Sequence, residues 1–131
     1  MKEIEVLITA CRESAVIPSY ARCGDAGMDV SAAVEMLIRP GETAAVPTGL
    51  KAAIPEGFEL QVRPRSGISL NTPLRIPNSP GTIDSGFRDE IRIIITNTSR
   101  PDVSAGCAEV FGISSKGNHE GTYLIKAGDR I

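Results

Sequence analysis

The chain has 131 residues, 41% apolar and 23% charged, with a formal net charge of −2. That length supplies one core and one domain, residues 1–131. The charge excludes a non-specific nucleic-acid binder, which needs a basic face to neutralise phosphates. A nucleotide substrate remains open, because a few placed arginines and a metal ion suffice to hold a triphosphate.

From the N-terminus, Met1-Lys2-Glu3-Ile4-Glu5 lacks the long apolar run of a signal peptide. Ile4, Val6 and Ile8 then alternate with polar or outward residues, the period of a strand with one face on a core. Weaker strand patterns follow at Glu35–Ile38 and Thr43–Leu50. Phe58, Leu60 and Val62 alternate with Glu59, Gln61 and Arg63. Ile91, Ile93 and Ile95 share one face, and Thr122–Lys126 gives a last strand. Turn signals separate them at Pro40-Gly41, Pro55-Glu56-Gly57, Pro77-Asn78, Pro80-Gly81 and Lys116-Gly117-Asn118. The 13 glycines and 9 prolines leave no window for a helix of ordinary length, apart from one turn after Ser66 with that serine as N-cap. The pattern predicts an all-β barrel or sandwich.

Three polar, glycine-bearing stretches break the strand rhythm. Gly24-Asp25-Ala26-Gly27-Met28-Asp29-Val30 places a carboxylate after a glycine turn. Arg63-Pro64-Arg65-Ser66-Gly67-Ile68 sets a guanidinium, a hydroxyl and a glycine N–H in a row, groups that can converge on phosphate oxygens. Asn78 through Ile91 offers an amide suited to a base edge, a hairpin turn, the carboxylate of Asp84 and the aromatic Phe87. Taken singly, each reads better as a turn, a surface arginine or a polar hairpin with a core phenylalanine.

In this order and separation they resemble the trimeric deoxyuridine triphosphatase family. Ala26-Gly27-Met28-Asp29 matches its first motif and Pro64-Arg65-Ser66-Gly67 its second. Gly81-Thr82-Ile83-Asp84 with Phe87-Arg88 matches the third, and Gly128-Asp129-Arg130-Ile131 opens the fourth. Ile54-Pro55-Glu56-Gly57-Phe58 is similar to the family's approach to motif two. The resemblance implies a jelly-roll-like distorted β-barrel, a homotrimer with active sites built from neighbouring subunits, and hydrolysis of dUTP to dUMP and pyrophosphate. It also implies roles. Asp84 activates the attacking water. Asp29 supports Mg²⁺ through bound waters. Arg65, Ser66 and Gly67 hold the phosphates. Asn78 reads uracil with the backbone of Thr82, Ile83 and Asp84, and Phe87 packs beneath the deoxyribose.

The sequence departs from the family at Phe87, usually tyrosine, and at Asp89, often glycine, where an aspartate in left-handed backbone is expected to keep the turn. The pattern is matched only into the fourth motif, so the single domain is expected to be truncated there. The resemblance implies a further Ala-Gln, another strand and a glycine-rich fifth motif that closes over the nucleotide. Two other readings are a nucleotide-binding regulator of weak turnover on the same fold and a dCTP deaminase. The deaminase is disfavoured because Ile91-Arg92-Ile93-Ile94-Ile95 holds no acid and Glu90 comes too early. Cys11, Cys23 and Cys107 lack metal-ligand spacing and read as free thiols in a reducing cytosol, with Cys107 buried. His119 reads as a loop residue. No stretch is long and apolar enough to span a bilayer, so a cytoplasmic protein with neither membrane nor nucleic-acid partners is expected.

Overall fold

The computed structural model describes residues 3–101 and 109–131. Among them are ten short strands and one helix: β1 (Leu7–Ala10), β2 (Met36–Ile38), β3 (Thr43–Pro47), β4 (Leu50–Ala53), β5 (Leu60–Val62), α1 (Ser66–Asn71), β6 (Leu74–Arg75), β7 (Gly81–Ile83), β8 (Arg92–Asn97), β9 (Val110–Gly112) and β10 (Thr122–Ile125). They form four small sheets, with strand orders β1-β4, β2-β10-β9, β3-β8-β6 and β5-β7. The β9–β10 pair is parallel and the other pairs are antiparallel. This is the all-β architecture that the sequence pattern predicts, of the jelly-roll-like kind that the family resemblance implies.

The alternation in β8 places Ile93 and Ile95 inward, 2% and 6% exposed, while Ile94 faces out. Opposite them on β3, Val46 is fully buried, and Ala45 pairs with Ile94 in the ladder. Ile38, Leu74, Tyr123 and Ile125 complete the centre of the core. Each buried isoleucine or leucine contributes roughly 1.5–3 kcal/mol by leaving water. Buried polarity is satisfied: Asn97 donates to the carbonyls of Ile38 and Gly121 and accepts from the N–H of Ser99.

Four expectations change. The first alternating run pairs only from Leu7, and Ile4 and Val6 are exposed, because its sole partner is β4 at a sheet edge. Thr43–Leu50 is two strands, split where Gly49 takes φ +72°. Ser66 is the first residue of α1 rather than its cap; Arg65 caps it in extended backbone without a side-chain bond. Asp89 has no left-handed φ, and Asn118 is the one non-glycine residue with positive φ among those described. Asp89 instead steadies its turn by accepting the N–H of Glu90 at 2.7 Å. His119 lies in a loop, its ring stacked on Phe111 at 5.1 Å. Cys11 and Cys23 are exposed and unpaired, and Cys107 lies outside the described residues.

Candidate functional site

Two concavities hold most of the candidate residues. The first follows from the pairing of β5 with β7, in which Leu60, Gln61 and Val62 oppose Ile83, Thr82 and Gly81. Beyond β7 the chain turns at Asp84, whose carbonyl accepts the N–H of Phe87. Arg88 folds back and donates to the carbonyls of Ser85 and Phe87, closing the turn from outside. Ahead of β7, Ser79 N–H donates to the Ile76 carbonyl and bends Asn78 back beside the strand. The result is a cavity of about 220 Å³ lined by Asn78, Gly81, Thr82, Ile83, Asp84 and Phe87, with Val62 and Ile91 in its wall. A Cβ on Gly81 would lie 3.2 Å from the Asn78 Nδ2, so the amide rests against a bare backbone.

The second concavity is a groove of about 710 Å³. Asp29 reaches it because the chain ahead of β2 pairs with the last residues. Ile131 N–H donates to the Val30 carbonyl, Ala32 N–H to that of Asp129, and Ser31 bridges Arg130. This sets Arg130 Nη1 3.3 Å from Asp29 Oδ2. Pro64 ends β5 and directs Arg65 across the same groove. Its Nε lies 3.5 Å from Asp29 Oδ1, and its Nη1 donates to the Arg130 carbonyl. Ser66 and Gly67 stand exposed at the start of α1, and a Cβ on Gly67 would meet nothing within 4 Å.

The structure therefore brings Asn78, Thr82, Ile83, Asp84 and Phe87 together in one cavity, and Asp29 with Arg65 in the other. Val62 and Ile91 line both. Arg130 was not among the sequence candidates. Its place in the fourth motif was the available signal, and its pairing with Asp29 arises from contacts between residues 101 apart. Behind Ile91, Glu90 is held by the guanidinium of Arg12, which keeps its carboxyl below the usual carboxylate range against the opposing effect of burial. The N–H of Gly49 and the charge of Arg92 act in the same direction.

The fold and site define an all-β protein with two adjoining polar concavities, one ending in an open amide beside a carboxylate and the other lined by Asp29, Arg63 and Arg65. The profile of the dUTPase family matches residues 13–106. A deoxyuridine 5′-triphosphate nucleotidohydrolase from Solibacter usitatus is 38% identical over 130 residues, covering 98% of this chain and 75% of the relative. Enzymes of the same name from Chlamydia pneumoniae and Streptomyces coelicolor are 53% and 45% identical over 62% and 72% of the chain, which spans 57% and 51% of their lengths. The structure of a mutant dUTPase from phage phi11 of S. aureus superposes with TM-score 0.86 at 30% identity, over 97% of this chain and 86% of that one. It is described in terms of the coordination of a structural Mg(II) ion. The chain belongs to the dUTPase family. Its β8, Arg-Ile-Ile-Ile-Thr-Asn, carries no acid. No helix among the described residues is long and apolar enough to cross a membrane.

Proposed function

We propose that this protein hydrolyses dUTP to dUMP and pyrophosphate. The observation that carries the reading is the shared cavity of Asn78, Asp84 and Phe87, with the Asn78 amide making no hydrogen bond to any described residue. Uracil offers O4 as acceptor and N3–H as donor, and an amide with both functions complements them. Cytosine reverses that pattern, and a buried mismatch leaves groups unpaired. The backbone of Thr82 and Ile83 walls the ring, and a thymine methyl would collide with it. Phe87 supplies a flat face for the deoxyribose and leaves no room for a 2′-hydroxyl.

Asp84 takes a proton from water as its oxygen bonds to the α-phosphorus. The bond from that phosphorus to the bridging oxygen breaks, and pyrophosphate leaves. Arg65, the Ser66 hydroxyl and the Gly67 N–H receive the charge that develops there. Asp29 is a hard, half-exposed carboxylate, and no cluster of three or more potential metal ligands occurs among the described residues. That donor set suits Mg²⁺, which keeps several waters and leans on substrate phosphates. When bound through water at Asp29, the ion would neutralise charge on the phosphate oxygens.

The reading extends to a cytoplasmic homotrimer in which copies share sites. The exposed Tyr20, Met28 and Phe87 beside the two concavities support that assembly. The test is pyrophosphate release with Mg²⁺ from dUTP, dCTP, dTTP and UTP. Release from dUTP should far exceed the others, and equal rates would overturn the assignment. Ammonia from dCTP would move it to a deaminase.

A further inference from the structure

The segment Cys11–Ala15 contributes to no motif, yet it grips the base of the loop that carries Asp84 and Phe87, which joins β7 to β8 across two sheets rather than forming the expected hairpin. The Glu90 side chain at that base is 8% exposed. Its Oε2 accepts Arg12 Nε at 2.6 Å and the Gly49 N–H at 3.0 Å, and its Oε1 accepts Arg12 Nη2 at 3.1 Å. Arg92 Nε lies 3.5 Å away on β8.

The segment is fastened at two further points. Cys11 N–H donates to the Gly49 carbonyl at 2.7 Å, and Ser14 Oγ donates to the Ala33 carbonyl. A Cβ on Gly49 would stand 2.7 Å from the Ala15 Cβ, so the segment lies flush on that corner. The residue after Glu90 is Ile91, which lines both concavities and whose N–H donates to the Leu50 carbonyl.

A two-pronged guanidinium–carboxylate contact fixes direction as well as distance. Without Arg12, the nearly buried Glu90 carboxylate keeps one backbone donor and a long contact to Arg92. Turning it toward water would drag the backbone at Asp89 and Glu90, and the turn from Asp84 to Phe87 with it. The geometry points to Arg12 as a positioning residue: acting through Glu90, it sets the pose of the 84–89 loop, and residues 11–15 are a clasp on the nucleotide site. The kinetic half of the test rests on the dUTP-hydrolysis reading; the exchange half does not.

The experiment compares the full chain with Arg12→Gln and Arg12→Lys. It measures steady-state dUTP hydrolysis with Mg²⁺, thermal unfolding, and amide hydrogen exchange across 84–89 against the β3–β8 ladder. Arg12→Gln should lower kcat about tenfold while KM moves less than about threefold, the pattern of a misplaced reacting group. Exchange should quicken in the 84–89 loop and stay unchanged at Ile93 and Ile95. Arg12→Lys should recover part of the loss, since it keeps the charge and loses the fork. It carries the same comparison if Arg12→Gln does not fold. Unchanged kcat and loop exchange with a lower Tm would overturn the proposal and leave Arg12 a surface staple. A wild-type chain that releases no pyrophosphate would overturn the functional reading instead, and loop exchange would then decide the clasp.

Discussion

The two concavities solve opposite problems. In the cavity around Asn78 and Asp84 the polar side chains are open: neither Asn78 nor the Asp84 carboxylate has a side-chain hydrogen bond or ion pair among the described residues. In the groove the charges already answer one another, with Asp29 against both Arg65 and Arg130. An open amide is ready to read a neutral ring. One carboxylate between two arginines eases their mutual repulsion and leaves the cluster net positive, and an arriving phosphate competes with Asp29 for them. On the proposed reading, recognition and chemistry fall to the 78–89 segment, and charge management to the groove.

The sharpest way to break that division is Asp84→Asn. If Asp84 accepts the water's proton, turnover should fall at least about a hundredfold with nucleotide affinity nearly intact. Steady-state kinetics beside equilibrium binding of a non-hydrolysable analogue checks this. Near-normal turnover would reduce Asp84 to a turn residue. Asn78→Ala comes next. Losing the amide should cost dUTP about 1–3 kcal/mol of recognition, roughly fivefold to 150-fold in kcat/KM. The ratio of dUTP to dCTP rates should shrink, and an unchanged ratio would assign the reading of the base elsewhere.

Glu90→Gln tests the footing of the 84–89 loop rather than its chemistry. Replacing a charged acceptor by a neutral one should lower stability at neutral pH by about 1.5 kcal/mol, the low end for charged hydrogen bonds because Arg12 is 38% exposed. Its pH dependence has a fixed sign. The folded carboxyl sits below its unfolded value, so its stabilisation is present above that value, about 4.3, and disappears as pH falls through the folded pKa. Denaturant unfolding of wild type and variant should therefore converge in acid and separate toward neutrality. A constant gap would mean that packing, rather than charge, carries the contact.

How much of this was legible in the sequence depended on distance along the chain. The Ile91, Ile93, Ile95 alternation announced β8 because a central strand with one buried face must repeat every second residue. β6, β7 and β9 are two or three residues long, too short for any period to register. The break in Thr43–Leu50 depended on Gly49, whose positive φ is needed where Arg12 and Ala15 press on the corner. The resemblance supplied the candidate residues and their order. The grouping of Asp29 with Arg130, and of Arg12 with Glu90, comes from pairings 101 and 78 residues apart, which no local spacing encodes.

The smallest expected effect lies in the groove, at Arg130. Its guanidinium is 60% exposed and sits 3.3 Å from Asp29, itself 40% exposed. Exposed pairs of this kind contribute about 0–1 kcal/mol, so Arg130→Gln should leave Tm nearly unchanged. The loss should fall on binding instead. One cation fewer stands against Asp29 at the groove's edge, and Asp29 then turns its whole charge on Arg65, the arginine assigned to the phosphates. KM for dUTP should rise about threefold with kcat almost constant, the signature of binding shared equally by ground and transition states. The dependence of kcat/KM on ionic strength should also flatten, because screened long-range attraction is the part that Arg130 supplies. A KM that stays put at both low and high salt would show that Arg130 only steadies the pairing of residues 30–32 with 128–131. A fall in kcat as large as that of Asp84→Asn would contradict the division itself, by placing chemistry in the groove.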